Sequence, residues 1–394
     1  MFETNFMFYM NGGGGMLNDS LWNSIHFFLE KYVHLKKNDN VVIFYTPDSR
    51  DIAGAVKFAL TQLEISCEVC WMKPIKDDFF FDRARKALPV LPDGGGRLVI
   101  LTFEKDTFSH DRKIYKLLSV YPPERLLIYR AISSCPELFT NALSIAPEEI
   151  NQFNSTLLNY LMSAKKVHIK TKGGTNLNIE LNNEKHSWVS NRGLARVGRT
   201  VILPPGEVAT YPANVTGIFV ADFAFNLNAI TDQDTRLQDR PVTLYLDKGI
   251  VVEYHSKCKD VIKFLDQCFE RLNAKKVGEL GFGTNRNVHA PLYMNSHINE
   301  RKPGVHLGFG QHNQPPGVVG YQCELHLDMI ADGGTIWIDD IPKSIDLSSF
   351  LAEDVLHTDR FTDEDVFSPE LDDISVEDCC GVYSQGEMKL FNIN

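Results

Sequence analysis

Val41–Met72 reads VVIFYTPDSRDIAGAVKFALTQLEISCEVCWM. Val41–Tyr45 is an apolar run of strand length. Asp48 or Ser49 then offers a side-chain oxygen as a helix cap, and the spacing of Ala53, Val56, Ala59, Leu60 and Leu63 predicts one apolar helix face. Cys67–Met72 is strand-like again, so the stretch reads as a β-α-β unit.

The rhythm repeats downstream. Arg97–Phe103 and Arg125–Arg130 are strand-like. Helices are expected near Ser109–Val120, from about Pro136, and over Pro147–Met162. Strands alternating with helices imply a parallel sheet covered on both faces. Gly94–Gly96 precedes a strand and Gly12–Gly15 lacks a following Lys-Ser/Thr, so both read as turns and not as phosphate cradles.

Near residue 165 the style changes. Val167–Asn183 alternates apolar and polar residues around Gly173–Gly174, a hairpin pattern. Val201–Pro212, Gly217–Asn226 and Val242–His255 continue with short strands, and Lys259–Leu272 predicts a helix. The expected fold class is α/β. A parallel-sheet α/β domain spans residues 1–165, and a mixed, largely antiparallel α+β domain spans residues 166–394. The acidic segment Thr362–Asp378 reads as solvated, and Lys389–Asn394 as a closing strand.

The chain has 394 residues, 43% hydrophobic and 23% charged, with a formal net charge of −11. That charge repels phosphate backbones, and no basic stripe with interleaved aromatics offsets it, so nucleic-acid binding is not expected. No run has the length and apolarity of a membrane-spanning helix. The apolar start, MFETNFMFYMNGGGG, contains Glu3 and no basic leader, and reads as a cytoplasmic N-terminal arm or small helix. Eight cysteines in a chain this long are not a disulfide scaffold. Cys67 and Cys70 fall in a strand and not at a helix N-terminus, which argues against a redox pair. Cys379–Cys380 lacks spaced zinc-ligand partners.

Four short motifs carry the chemistry. They are PPGEV at Pro204–Val208, GELGFG at Gly278–Gly283, GVHLGFG at Gly304–Gly310 and ELHLD at Glu324–Asp328. Strand alternation sends His326 and Asp328 to one face and their leucine neighbours to the other. His306 lies in a strand bounded by glycines. Glu207 and Glu279 each follow a glycine, and Glu300 lies six residues before His306. Converging carboxylates and imidazoles demand cations, because burying that many acids alone is very costly. Two metals clamped by one shared carboxylate activate a water and polarise a carbonyl oxygen.

The ordered set resembles the metal-dependent aminopeptidases of the aminopeptidase T family, peptidase family M29, over most of Lys166–Asp340. The resemblance implies Glu207, Glu279, Glu300, His306, His326 and Asp328 as metal ligands, with Glu279 shared and Glu207 and Glu279 catalytic. It further implies two divalent ions (Zn, Co or Mn), a small peptide substrate cut at its N-terminal bond, and a homodimer. One departure stands out. The family places a catalytic Tyr seven residues after the histidine, where this chain has Asn313, which cannot replace a phenol in proton transfer.

His326, Asp328 and the following glycine turn are also similar to the 2,5-dihydroxypyridine dioxygenases, mononuclear iron enzymes with the same fold. In that likeness Glu279 stands where a ligating histidine is expected. It implies one Fe(II) and an oxygenase acting on a small aromatic or amino-acid-derived molecule. A peptide-binding protein without turnover is a third alternative. His289, His297 and His312 lie near the motifs in sequence. Arg301 and Lys302 read as a solvated pair or as partners for a substrate carboxylate. Trp337, Phe282 and Phe309 read as core, and Asp339 and Asp340 as turn residues.

Overall fold

The computed structural model describes residues 19–91, 95–105, 109–315, 317–339, 341, 344–355, 362–363, 381–384 and 387–390. The helices are α1 (Asp19–Phe27), α2 (Arg50–Gln62), α3 (Phe80–Ala87), α4 (Asp111–Leu118), α5 (Pro147–Leu161) and α6 (Lys259–Phe269). The strands begin with β1 (Asn40–Tyr45), β2 (Ser66–Trp71), β3 (Leu98–Phe103), β4 (Leu126–Ala131), β5 (Lys166–Lys170), β6 (Asn176–Glu180), β7 (Trp188–Asn191) and β8 (Thr200–Leu203). They continue with β9 (Glu207–Thr210), β10 (Asn214–Ala221), β11 (Ala224–Leu227), β12 (Ala229–Thr231), β13 (Val242–Asp247), β14 (Ile250–His255) and β15 (Val277–Gly283). The last are β16 (Gly304–Gly310), β17 (His326–Ile330), β18 (Thr335–Ile338), β19 (Ile345–Asp346), β20 (Thr362–Asp363), β21 (Gly381–Ser384) and β22 (Glu387–Leu390).

The first sheet is parallel throughout, in the order β2-β1-β3-β4-β8. Strands β3 and β4 are buried at every position, and their sequences are apolar apart from Thr102 and Arg130. Alternate residues feed two cores. Val41, Ile43, Val99 and Leu101 pack with Ala53, Val56, Ala59 and Leu60 of α2. Val42, Phe44 and Ile100 pack on the other side with Phe80 and Ala84 of α3 and Ile114 of α4. Each of the Val, Leu, Ile and Phe side chains among these, fully buried, contributes about 1.5–3 kcal/mol.

Two seven-stranded, mostly antiparallel sheets follow, in the orders β14-β13-β10-β6-β5-β18-β19 and β11-β17-β16-β15-β9-β7-β20. One apolar cluster joins them. Leu177, Ile179, Phe219 and Leu244 of the former meet Leu280, Phe282, Leu307 and Leu327 of the latter, with Phe264 and Leu265 of α6. A small sheet, β12-β21-β22, completes the described chain. The fold is thus a parallel α/β layer followed by antiparallel sheets.

Val201–Pro212 divides between layers. β8 joins the parallel sheet, and β9 joins the antiparallel one. The cis Leu203–Pro204 bond and Gly206, at φ +114°, lie between them. Asn154 of α5 secures the crossing by donating from Nδ2 to the carbonyls of Asn191 (3.0 Å) and Glu207 (2.9 Å). Glu207 therefore begins its strand at the seam between layers.

The helix expected from Pro136 starts there and is short, ending in a wide turn over Leu138–Ala142. α1 and α3 add helices that periodicity did not suggest. Cys67 and Cys70 lie in β2 as free thiols, and burial pushes the Cys67 thiol up to about 11. Glu387–Leu390 pairs with Gly381–Ser384, so the start of the expected closing strand is present. The N-terminal arm, Cys379–Cys380 and all of Thr362–Asp378 except Thr362 and Asp363 lie outside the described residues. Among the described residues, no helix is long and apolar enough to cross a membrane.

Candidate metal centre

Strands β9, β15, β16 and β17 are consecutive neighbours in one sheet. Alternation gives each two faces. Leu280, Phe282, Val305, Leu307, Phe309 and Leu327 face the shared core. The intervening positions carry Glu207, Glu279, His306, His326 and Asp328 on the opposite face.

The same face holds a lattice of glycines. Gly281 pairs with His306, and Gly308 lies between Glu279 and Asp328. Gly310 pairs with His326, and Gly283 with Glu207. A Cβ on Gly281 would lie 2.0 Å from His306 Nε2. On Gly308 it would lie 2.8 Å from Glu279 Cβ and 2.9 Å from Asp328 Oδ1. The glycines supply room for the functional side chains, which explains the alternation inside GELGFG and GVHLGFG. A register irregularity after Val277 shifts the pairing just before Glu279.

Two groups of ligand atoms result. Glu207, Glu279 and His306 form one, and Glu279, His326 and Asp328 the other; within each, the atoms lie within 4.8 Å of one another. Glu279 belongs to both. His306 Nε2 lies 2.7 Å from Glu207 Oε1 and 3.5 Å from Glu279 Oε1. His326 Nε2 lies 3.1 Å from Asp328 Oδ2. Glu207 Oε1, His306 Nε2 and Asp328 Oδ1 are buried without an aligned hydrogen-bond partner. Orphaned atoms of this kind fit a divalent cation, whose preferred donors are carboxylate oxygen and imidazole nitrogen. His326 Nδ1 sits 3.1 Å from the Gln311 carbonyl. A carbonyl can only accept, so Nδ1 carries the hydrogen and Nε2 is left for a metal.

Without a cation, protons take its place. Burial pushes the Glu279 carboxyl up, and burial with the Asp328 charge pushes Glu300 well up. Burial would lower both imidazoles, but neighbouring carboxylates outweigh it and hold His306 and His326 well above their usual range. Burial also opposes ionisation of Glu207, yet Arg301 and His306 hold it at about 2. His326 holds Asp328 low in the same way.

Glu300 belongs to neither group. Its Oε1 accepts from Asn226 Nδ2, and its Oε2 lies 3.4 Å from Arg301 Nη1. Arg301 is fully buried and not a solvated residue; it bonds Glu207 Oε2 and donates from Nε to the Pro204 carbonyl at 3.0 Å. Asn226, across from Asp328 on β11, was also missed from sequence. Only its place in a short apolar run hinted at a strand. Asn313 is held by Gln314, whose Nε2 donates to its Oδ1 at 2.8 Å. Nearby, the rings of His312 and Tyr321 meet edge-on at 5.4 Å. Burial with the Arg301 charge depresses His297 to about 4. His289 is exposed, and Lys302 pairs with Asp332. Phe282 and Phe309 are core residues, whereas Trp337 is half-buried beside His168 and Lys170. Asp339 accepts from the backbone of Lys165 and Lys166, as a turn residue does, and Asp340 lies outside the described residues.

Comparison with known proteins places this geometry. Residues 217–335, less than a third of the chain, match the family described as crocagin biosynthetic protein CgnE/B. That segment holds Glu279, Glu300, His306, His326 and Asp328 and excludes Glu207. No curated protein sequence matches the chain. The structure of 2,5-dihydroxypyridine dioxygenase from Pseudomonas putida KT2440 is similar at TM-score 0.57 and 16% identity, over 86% of this chain and 98% of that one. Wild-type AmpT from Thermus thermophilus is similar at TM-score 0.51 and 16% identity, over 80% and 94%. The chain shares its fold with both.

Proposed function

We propose that the chain is a metal-dependent enzyme acting on a peptide or amino-acid-derived substrate, with its reaction centre at Glu279, His326 and Asp328. The observation that carries this reading is the set of orphaned ligand atoms in two buried groups sharing Glu279. The biosynthetic description of the matching family supports a role in making a product over general degradation.

Of the two chemistries known on this fold, oxygenation is favoured. The dioxygenase structure is matched over more of both chains. Position 313 holds a carboxamide where the aminopeptidase likeness expects a phenol. In this reading Glu279, His326 and Asp328 would hold one Fe(II), whose chemistry would be the activation of dioxygen beside the substrate, and the two-histidine set of the dioxygenase likeness would need His306 together with His326. The Gln311 carbonyl orients His326, and Arg301 balances acids that the cation does not reach. Hydrolysis of an N-terminal peptide bond, with Zn, Co or Mn in both groups, is the second reading. It is supported by the second ligand group, Glu207, Glu279 and His306, which one cation at Glu279, His326 and Asp328 would leave unfilled.

The test is anaerobic purification, loading with Fe(II), and measurement of oxygen uptake with short peptides and aromatic amino-acid derivatives. Uptake that needs both iron and substrate is expected. Release of N-terminal residues with Mn, Co or Zn and no oxygen would replace oxygenation by hydrolysis. Peptide binding without turnover under every metal would sink both.

A further inference from the structure

The centre is asymmetric in charge. Arg301 carries a permanent positive charge and is fully buried, fixed by the Pro204 carbonyl and by Glu207 and Glu300. Its Nη1 bonds Oε2 of Glu207, an acid of the first ligand group, so part of that carboxylate's charge is already matched by a guanidinium. Glu207 Oε2 is bonded to the guanidinium, whereas Asp328 Oδ2 faces an imidazole, 3.1 Å from His326 Nε2. An imidazole can give up its proton to an incoming metal, but a guanidinium cannot give up its charge. A cation beside Glu207 and His306 therefore meets a ligand already partly neutralised and a fixed positive neighbour.

We propose that Arg301 makes the two halves unequal, so that the first divalent cation settles at Glu279–His326–Asp328. The second enters Glu207–Glu279–His306 only at higher concentration. This rests on the reading that the pocket binds divalent cations. It adds an order of filling and a residue that sets it, and neither is visible in the ligand set itself. It also gives a reason for one cation to suffice at working concentrations, because Arg301 serves as the standing counter-charge of the other half.

Equilibrium dialysis of the full chain against Mn(II), with elemental analysis, tests it without any activity assay. Two steps are expected, separated by at least about tenfold in concentration. Glu207→Gln is expected to abolish the weak step and spare the tight one, and His326→Ala to abolish the tight one. Arg301→Met is expected to draw the second step toward the first, with circular dichroism checking that the variant folds. The Glu207→Gln and His326→Ala pair decides the order of filling, and a second step left unmoved in Arg301→Met, or in Arg301→Gln if the Met variant does not fold, overturns the role of Arg301. Two equivalents binding in one step, or loss of the tight step in Glu207→Gln, overturns the proposal while leaving a metal centre. No Mn(II) bound at any concentration overturns the metal reading itself.

Discussion

At the scale of single residues, the centre depends as much on missing side chains as on present ones. Gly281 is the clearest case, because a methyl group there would fall on the His306 ring. His306 is fully buried. Gly281→Ala is therefore expected to weaken binding in the half containing His306 by at least about tenfold, the cost of displacing one ligand. Mn(II) titration reads this directly, and unchanged binding would show that the ring moves aside freely. The motifs were legible here because strand alternation converts spacing into a face. Arg301 was not legible. A basic residue beside Lys302 looks solvated until the fold buries one and leaves the other paired at the surface.

At the scale of elements, the ends of the parallel strands hold a second polar cluster. Glu104 follows β3, and Arg130 of β4 reaches it at 2.8 Å while also contacting Asp111 at the start of α4. One guanidinium thus serves two carboxylates in a buried site. Burial pushes the Glu104 carboxyl from 4.5 up to about 7 despite Arg130. A carboxyl raised in the folded state favours folding while protonated. Its contribution is fully present below pH 4.5 and is lost as pH rises through about 7. The change is up to about 3 kcal/mol across that window. Urea unfolding of the native chain and Glu104→Gln at about pH 5 and about pH 8 checks this. The native chain should lose stability relative to the variant at the higher pH. A constant difference would show that Glu104 does not titrate there.

At the scale of the whole molecule, ligands come from strands far apart in sequence. Glu207 lies at the seam between layers, and His326 and Asp328 follow more than a hundred residues later. Only the folded chain brings them together, so a cation that binds them stabilises the folded state alone. Saturation at about 100 times the dissociation constant contributes about 2.7 kcal/mol. Thermal unfolding should therefore rise with added Mn(II) or Fe(II) and fall back with a chelator, and His326→Ala should blunt the rise. An unchanged midpoint would mean that no cation binds the folded form.

The sequence by itself determined the fold class, because parallel strands covered on both faces are mostly apolar along their length and antiparallel strands covered on one face alternate. It also determined which residues share a face, since side-chain direction along a strand is local. The tertiary structure alone decided that four strands lie side by side, that Glu300 turns toward Asn226 and Arg301, and that a guanidinium lies inside the pocket. Those outcomes depend on strand order, register and burial, which are set by contacts between residues distant in the chain.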